Sequence, residues 1–452
     1  MNKELSLLLD LYELTMGQGY YNYRRDTRAS FDLFVRGLPK NRSYLVACGL
    51  EDILDYVKNL RFSETDIRYL KSQNLFTPEF LNYLKKFRFT GDIWAMPEGT
   101  VFFPDEPVVR ITANISEAQI LESYLLNTIN LPSMIASKAS RIVTQGQGKQ
   151  LFDFSLRRNH GAQASLMVTR SSYIAGFDGT SNVLAAKLFG IKPSGTMAHS
   201  FIMSFKEEID SFLAYANTFP DKTILLVDTY NTKKGIANAL TMGLYMKEKR
   251  NKLFGIRLDS GDIAYWSKYA RQELDRAGLN FVKIFATGNL DEFKIKALLE
   301  KEAPVDSFGV GTNMGASIDA PSLDVIYKLC EVTDEEGEFQ PVMKLSKAKR
   351  TLPGRKQVFR LRDKNGKYRG DIIALEKERI KGKALLVKVV SNGKIIYRNP
   401  TLDKIRSRLK YQLSNFPKQL LAIDASYRYP LKLSPQLNRL KNKLSRRLEK
   451  RQ

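Results

Sequence analysis

The chain has 452 residues, 43% of them hydrophobic, with 25 Phe and 21 Tyr, a composition typical of a folded globular protein of roughly two or three domains. Its two cysteines are too few for a disulfide framework or a metal cluster, and no apolar run approaches the ~20 residues of a membrane helix. Acidic residues interrupt the apolar N-terminal stretch, so a signal peptide is not expected and a cytoplasmic protein is the simplest interpretation.

The formal net charge of +24 comes from the last quarter of the chain. Residues 341–452 hold 32 Lys and Arg against 7 Asp and Glu, whereas residues 1–340 are nearly neutral. Such an excess can attract RNA, an anionic membrane or an acidic partner. No nucleic-acid motif or interleaved aromatic pattern accompanies it, so a solvated basic surface is the favoured interpretation.

The first 137 residues predict an α+β domain. A Thr-Pro pair marks the start of one of its helices, and Gly and Pro punctuate its antiparallel strands. The predicted elements are, in chain order, a helix at 1–20, a strand at 31–39, a buried turn and amphipathic helix at 44–60, a helix at 77–87, strands within 92–113, and a long helix at 115–131.

From residue 138 to 332, short apolar runs alternate with helical patterns, which indicates βα units and an irregular α/β barrel. The runs lie at 150–158, 195–201, 223–229, 253–262, 281–289 and 306–313. Each run ends in polar or glycine residues, and in a barrel the carboxyl ends of the strands form the active site. These residues are Arg157 and Arg158, His199, Asp228, Arg257 and Asp259, Gly288 and Asn289, and Gly311 and Thr312.

An acidic turn at 333–338 marks a boundary, and residues 333–452 predict a β-rich piece followed by basic helices. We expect this C-terminal segment to pack with the N-terminal domain. The predicted fold is therefore an irregular (β/α) barrel plus an α+β domain formed from both ends of the chain.

The residues at the strand ends suit a phosphorylated sugar. Arginine binds phosphate oxygens in a bidentate way, glycine-rich turns let backbone N–H groups approach phosphate, and carboxylates bind ribose hydroxyls or Mg²⁺. His199 can serve as a base, a ligand or a phosphoryl acceptor. The chain has neither a G-x-x-x-x-G-K-[ST] loop nor the two-carboxylate diphosphosugar loop of the commoner phosphoribosyltransferases. Any use of ATP or a diphosphosugar must therefore employ another arrangement.

Long strings along nearly the whole chain resemble the nicotinate phosphoribosyltransferases, a type II phosphoribosyltransferase family. They are DLYELTMGQGY (10–20), YLVACGLE (44–51), FSLRR (154–158), GFDGTSNVLAAKLFG (176–190), GTMAHSF (195–201), VDTYNT (227–232), GIRLDSGD (255–262), GVGTNMGAS (309–317) and TLPGRKQV (351–358). The resemblance implies that nicotinate, 5-phosphoribosyl-1-diphosphate, ATP and water give nicotinate mononucleotide, diphosphate, ADP and phosphate, the first step of NAD salvage.

The resemblance also implies roles for individual residues. ATP would phosphorylate His199, which Asp228 would orient. The base would lie between Phe154 and Tyr12, with Tyr12 supplied by the second subunit of a homodimer. Arg257 would contact the substrate near the base, and Asp259 would bind the ribose or Mg²⁺. The remaining expected substrate-binding residues are Arg157, Thr180, Ser181, Gly288, Asn289, Gly309, Gly311 and Thr312.

Ser181 favours the acid over the amide as substrate. In the similar enzyme that uses nicotinamide, an Asp occupies this place and accepts a hydrogen bond from the amide. An Asp would repel the nicotinate carboxylate, whereas a Ser hydroxyl can donate to it. The alternatives are a nicotinamide- or quinolinate-using relative and, outside the enzymes, a basic nucleic-acid-binding or scaffold protein.

Overall fold

The computed structural model describes residues 5–346 and 351–450. The chain divides into two compact units, one built from its two ends, up to Met134 and from Ser322 onward, and the other from Ile135–Pro321. The sequence placed the boundary after the barrel at residue 332. The structure instead gives the strand Val325–Thr333 to the first unit, because this strand pairs antiparallel with Arg28–Val35.

The described part of the N-terminal segment folds, in chain order, into α1 (Leu11–Tyr23), β1 (Arg28–Val35), β2 (Leu45–Val46), α2 (Leu50–Asn59), α3 (Glu64–Ser72), α4 (Pro78–Lys85), β3 (Asp92–Ala95), β4 (Val101–Phe102), β5 (Val109–Asn114), α5 (Ile115–Ile120) and α6 (Glu122–Gln145). The Thr-Pro start of α4 is confirmed: the Thr77 hydroxyl accepts from the Phe80 N–H, and Pro78 occupies the first turn.

The second unit continues with β6 (Gln150–Asp153), a 3₁₀ turn (Leu156–Arg158), α7 (Ala162–Ala175), β7 (Gly179–Thr180), α8 (Val183–Phe189), α9 (His199–Met203), α10 (Glu208–Thr218), β8 (Ile224–Leu226), α11 (Thr232–Glu248), β9 (Gly255–Leu258), α12 (Ile263–Arg276), β10 (Lys283–Ala286), α13 (Glu292–Glu300), β11 (Ser307–Val310) and α14 (Thr312–Gly315).

Six parallel strands form the sheet of this unit, in the order β7-β6-β11-β10-β9-β8. The strands are rich in buried apolar residues, with Ile256, Ile284 and Phe308 fully buried, as expected where helices cover a parallel sheet. Because the strands are parallel, their carboxyl ends share one edge. The α/β barrel class is confirmed.

The run at 195–201 was predicted as a strand, and this was wrong. The chain is extended up to Ala198 and then begins α9 at His199. Only Pro193 forms a bridge to the sheet, beside Thr180. The carbonyl of Met197 accepts a hydrogen bond from the Arg257 side chain instead of a strand neighbour, so this loop crosses the strand ends.

The C-terminal segment returns to the first unit with β12 (Val325–Thr333), β13 (Phe339–Pro341), β14 (Lys356–Arg362), β15 (Tyr368–Leu375), β16 (Lys383–Ala384), β17 (Val387–Ser391), β18 (Lys394–Ile395), α15 (Leu402–Asn415), a 3₁₀ turn (Lys418–Leu421), β19 (Leu431–Leu433) and α16 (Pro435–Glu449). A seven-stranded sheet, β13-β12-β1-β5-β3-β17-β18, joins strands from both ends of the chain. A four-stranded sheet, β16-β14-β15-β19, is formed by the C-terminal segment alone. In the described residues no helix has both the length and the apolar content needed to cross a bilayer.

A buried ion pair connects the four-stranded sheet to its surroundings. Arg360 Nη2 lies 2.6 Å from Asp371 Oδ2, and both side chains are at most 1% exposed. The same guanidinium donates to the Val101 carbonyl at 2.8 Å and to Gln412 Oε1 at 2.8 Å. The Tyr429 hydroxyl lies 3.2 Å from Asp371 Oδ1. The buried charge of Arg360 is tolerated because its counter-ion Asp371 and the acceptors of its other hydrogen bonds are present.

We therefore expect Asp371→Ala to lower the free energy of unfolding of the first unit by about 3–5 kcal/mol, since it leaves the Arg360 charge buried without its counter-ion. Urea denaturation measures this loss. The control is Glu64→Ala, which breaks the exposed Glu64–Lys85 pair of the same unit and is expected to cost at most about 1 kcal/mol. Equal losses in the two variants would contradict the assignment.

Candidate active site

A cavity of about 390 Å³ opens at the carboxyl edge of the parallel sheet, within the second unit. Residues from many separate segments of that unit line it, and most of the site residues predicted from the sequence are among them. They are Phe154, Arg157, Arg158, Ser181, Gly195, Thr196, Met197, Ala198, His199, Leu226, Arg257, Asp259, Thr287, Gly288, Asn289, Gly309, Gly311 and Thr312.

Arg257 and Asp259 form the charged centre of this cavity. Arg257 lies on β9 and Asp259 follows its end, and Arg257 Nη2 lies 2.5 Å from Asp259 Oδ1. Thr287, which follows β10, accepts from Arg257 Nε at 2.8 Å and donates to Asp259 Oδ1. Arg257 Nη1 reaches Thr196 Oγ1 at 3.2 Å and the Met197 carbonyl at 3.3 Å. The guanidinium is thus held in one orientation by four contacts.

The Asp259 carboxyl remains ionised in this setting. Burial alone would raise its pKa, but the hydrogen bond from Thr287 and the charge of Arg257 outweigh burial and hold the pKa below its usual range. The stabilised carboxylate keeps its negative charge on the side of the cavity where His199 lies.

His199 is the first residue of α9, and its side chain is 41% exposed. Its Nδ1 lies 3.1 Å from Thr229 Oγ1, and its Nε2 lies 3.8 Å from Asp259 Oδ2. The imidazole therefore faces the carboxylate and the cavity, not the apolar interior. One ring nitrogen is held by a hydroxyl, and the other is directed towards Asp259.

Asp228 was predicted to orient His199, but the structure places Thr229 at the imidazole instead. The Asp228 carboxylate accepts from the Asp259 N–H at 2.9 Å and from the Ser260 hydroxyl at 2.6 Å. Asp228 is 9% exposed and does not line the cavity. It fixes the turn that carries Asp259, so its link to His199 runs through Asp259.

Phe154 forms the apolar wall of the cavity. The Arg257 guanidinium lies 5.8 Å from the centroid of the Phe154 ring. A Cβ on Gly309 would lie 2.6 Å from both the ring and the Thr287 methyl group, so only glycine leaves room for the wall. Gly288 has φ = 91°, and a Cβ there would lie 1.8 Å from the Asp259 carbonyl. These two glycines are therefore required by the packing of the site itself.

Thr180 and Ser181 play different parts. Thr180 is fully buried, and its hydroxyl donates to Asp153 Oδ2 at 2.9 Å, so it lies outside the cavity that it was predicted to line. The Ser181 N–H donates to the Asp153 carbonyl at 2.8 Å, while its side chain lines the cavity. Asp153, which the sequence did not single out, holds this strand end through Thr169 as well.

The remaining predicted residues are divided between the two units. Arg157, Asn289, Gly311 and Thr312 line the cavity. Tyr12 lies on α1 of the first unit, where its side chain is 42% exposed. Its assignment to a second subunit stays a prediction.

The donor set suits a cation that takes few protein ligands. Asp259 Oδ1 is occupied by Arg257 and Thr287, which leaves Oδ2 facing His199. Asp228 Oδ1 is buried without a hydrogen-bond partner among the described residues. In residues 5–346 and 351–450 no group of three His, Cys, Asp or Glu side chains could enclose a metal ion. Mg²⁺ commonly binds through one or two carboxylates together with substrate phosphates, and Asp259 fits that role.

Comparisons with known proteins match nearly the whole chain to one family. Residues 7–130 match the family model of the nicotinate phosphoribosyltransferase N-terminal domain, residues 149–367 that of the nicotinate phosphoribosyltransferase family, and residues 379–441 that of the C-terminal domain. The chain is 44% identical over 434 residues to nicotinate phosphoribosyltransferase pncB2 of Mycobacterium tuberculosis, covering 96% of this chain and 92% of that protein. It is 34% identical to nicotinate phosphoribosyltransferase of Bacillus subtilis, covering 95% and 93%.

Two solved structures are similar along most of the chain. Human nicotinic acid phosphoribosyltransferase superposes with a TM-score of 0.86 at 27% identity, covering 96% of this chain and 99% of that chain. Nicotinate-nucleotide pyrophosphorylase from Pyrococcus furiosus superposes with a TM-score of 0.73 at 28% identity, covering 91% and 96%.

The packing of the cavity wall gives a prediction about stability. We expect Gly309→Ala to destabilise the second unit by about 1–3 kcal/mol, because the added methyl group overpacks against Phe154 and Thr287. Gly195→Ala is the control, since Gly195 lines the same cavity and a Cβ there meets nothing within 4 Å. Thermal unfolding of both variants measures the difference, and a Gly309→Ala protein as stable as the control would contradict the wall geometry.

Proposed function

The chain belongs to the nicotinate phosphoribosyltransferase family, and from this premise we propose that it transfers a phosphoribosyl group to nicotinate in a reaction coupled to ATP through a phosphohistidine. Nicotinate, 5-phosphoribosyl-1-diphosphate, ATP and water would give nicotinate mononucleotide, diphosphate, ADP and phosphate. The observation that carries the proposal is the meeting of His199, Asp259, Arg257 and Phe154 in one cavity at the strand ends.

His199 is the proposed phosphoryl acceptor. A nitrogen lone pair of the imidazole attacks the γ-phosphorus of ATP, an N–P bond forms, and ADP leaves with the electrons of the broken P–O bond. The ring is 41% exposed at the cavity, which gives a nucleotide access. Water later cleaves the N–P bond and releases phosphate, which returns the imidazole to its starting form.

The glycosyl transfer is proposed to use the rest of the cavity. The ring nitrogen of nicotinate attacks C1 of the ribose, and diphosphate leaves. Phe154 offers an aromatic face for the pyridine ring, and Arg257 beside it offers a cation. Backbone and side-chain groups at Gly288, Asn289, Gly311 and Thr312 would bind phosphate oxygens. The ionised Asp259 would bind ribose hydroxyls or a cation.

Mg²⁺ is the expected metal, and Asp259 is the residue that would hold it together with substrate phosphate oxygens. When bound, the ion supplies charge neutralisation at the diphosphate. The residues of the chain would still orient the reactants: Arg257 through its fixed guanidinium, and His199 through its bond to Thr229.

We further propose a cytoplasmic homodimer in which the aromatic ring of Tyr12 of the partner subunit covers the nicotinate ring from the side opposite Phe154. The 42% exposure of Tyr12 in one chain supports this, since a ring reserved for a neighbour's site must remain accessible. Burial in its own unit, with the charges of Glu122 and Glu13, raises the pKa of Tyr12.

Three other functions fit the cavity less well. Nicotinamide as substrate is disfavoured by the serine at position 181, which lines the cavity. A quinolinate-using enzyme would need no phosphohistidine, so assays of the three bases with and without ATP separate these possibilities. A purely scaffolding or nucleic-acid-binding protein leaves the convergence of His199, Arg257 and Asp259 unexplained.

The phosphohistidine can be tested by intact mass. After incubation with ATP and Mg²⁺, we expect an acid-labile phosphoryl adduct on the wild-type protein and none on His199→Ala. His160→Ala is a matched control, because His160 is the other histidine of the chain and is exposed. The proposal would be wrong if the adduct formed on His199→Ala or if no adduct formed on the wild-type protein.

The specificity can be tested at Ser181. We expect Ser181→Asp to lower the nicotinate-to-nicotinamide ratio of kcat/KM by about 10²-fold or more, because like charges in a desolvated site cost several kcal/mol. Ser181→Asn adds similar bulk without the charge and should change the ratio much less. If the ratio stays constant in Ser181→Asp, the residue does not set the choice of base.

A further inference from the structure

Thr287 links Arg257 and Asp259 at the end of the parallel sheet, and no motif in the sequence indicated this role. It is 4% exposed and lies directly after β10, where its N–H donates to the Leu258 carbonyl at 2.8 Å. This backbone bond fixes Thr287 beside the stretch from Arg257 to Asp259 on the neighbouring strand. A hydroxyl group has one proton to donate and lone pairs to accept. Here the Thr287 hydroxyl donates a hydrogen bond to Asp259 Oδ1 and accepts one from Arg257 Nε–H at 2.8 Å.

We propose that Thr287 is a positioning residue for the transfer reaction, which locks the Arg257 guanidinium and the Asp259 carboxylate into the orientation that the substrates meet. The inference rests on the proposed function and adds a residue to it. The Thr287 methyl group also packs where Gly309 leaves space, next to Phe154. The Thr287 side chain thus contacts and positions the Arg257 cation, the Asp259 carboxylate and the apolar wall.

This restraint matters because the long side chain of Arg257 could otherwise adopt several rotamers. The Asp259 oxygen that Arg257 binds is the same oxygen that Thr287 binds, so the three groups form a closed triangle. The opposite oxygen, Oδ2, is thereby directed to His199 at 3.8 Å. Loss of the hydroxyl would free the carboxylate to rotate and would leave Arg257 Nε without this acceptor.

Two near-isosteric variants separate the hydroxyl from the shape. Thr287→Val keeps the branched side chain and removes both hydrogen bonds, whereas Thr287→Ser keeps the hydroxyl. We expect Thr287→Val to lower kcat/KM for nicotinate by about 10–100-fold, since each lost bond involves a charged group. Thr287→Ser should remain within about threefold of the wild type. If Thr287 had only a structural role, kcat/KM would instead fall in each variant only as far as its thermal stability falls.

A double-mutant cycle completes the test. In an Arg257→Gln background, Thr287→Val should have little further effect, because the two residues act as one unit. Additive effects, or an unchanged kcat/KM in Thr287→Val, would overturn the positioning role. A wild-type protein that makes no nicotinate mononucleotide would instead overturn the proposed function, so the two failures are distinguishable.

A second and independent observation concerns the charge of α16. Arg439, Lys443, Arg446 and Arg447 on this helix, with Lys450 just beyond it, are exposed and line one shallow groove. Arg439, Lys443, Arg446 and Lys450 follow one another at steps of four, three and four residues, which places them along one helix face, with Arg447 next to Arg446. Among the described residues, no salt bridge compensates any of the five.

Four acidic residues of the C-terminal segment are engaged within the fold. Asp371 pairs with Arg360, Glu376 pairs with Arg110, and Glu378 accepts from the Ser434 hydroxyl. Asp363 accepts backbone N–H groups in the β14–β15 turn. Because none of these acids pairs with α16 and no described salt bridge includes the five cations, we take these cations to be available to an external anion.

We infer that this face of α16 binds the phosphate backbone of nucleic acid without base specificity. From Arg439 to Lys450 the row extends about 16 Å, at 1.5 Å per residue, which covers several phosphates. A membrane surface fits less well, because an interfacial helix must insert large apolar side chains. No residue of α16 is among the exposed large apolar side chains of the described chain.

Substitution tests this better than truncation, because removing residues after 340 would delete β17, which pairs with β3. Fluorescence anisotropy with a single-stranded RNA of about 20 nucleotides should show binding that weakens about 10²-fold between 50 and 200 mM salt, as five phosphate contacts require. Combined Arg439→Gln, Lys443→Gln, Arg446→Gln and Arg447→Gln should remove most of this salt dependence and weaken binding at least tenfold.

The matched control neutralises four exposed lysines of the second unit, Lys233, Lys247, Lys252 and Lys268, also with glutamine. It should bind RNA as the wild type does. Equal losses in both variants would show a general charge effect and overturn the assignment to α16. Binding to phosphatidylglycerol vesicles without binding to RNA would overturn it in favour of a membrane surface.

Discussion

The ion pair between Arg257 and Asp259 is the interaction on which the candidate site depends. In open water such a pair would contribute little and would exchange partners freely. Here the arginine side chain is 16% exposed and is held by Thr287, Thr196 and the Met197 carbonyl as well as by the carboxylate. The protein therefore presents a fixed cation and a fixed anion side by side, which is what a substrate with a carboxylate and a phosphosugar requires.

The parallel sheet is what makes that pair possible. Each strand delivers its polar residue to the same edge, and the residues just beyond the strands bond to one another across neighbours, as Asp228 does to the Asp259 N–H. The glycines of the site serve this convergence, because side chains at 288 and 309 would displace the Asp259 turn and the Phe154 wall. Geometry at the rim is thus set by backbone pairing in the sheet and by small residues where the strands end.

The first unit uses charge differently. Its interior holds complete ion pairs, including Arg360 with Asp371 and Lys356 with Asp32, the latter at 2.7 Å with both side chains about 3% exposed. These buried charges are paired inside the unit, whereas four basic residues of α16 are exposed. The surplus of basic residues counted in the sequence belongs to a unit built from both chain ends, and its role is separate from the chemistry at the barrel rim.

The sequence by itself determined the fold class, the alternation of strands and helices and most of the cavity residues, because buried parallel strands read as apolar runs and the polar residue after each run lies at the shared edge. It could not determine partners across strands. From the sequence, residues 195–201 were expected to form a strand, Asp228 to orient His199, and Thr180 to line the cavity. Neither Thr287 nor Thr229 stood out. Those outcomes depend on which strand neighbours which and on how each side chain is hydrogen-bonded. Such long-range pairings leave no local pattern in the chain, so only the tertiary structure decided them.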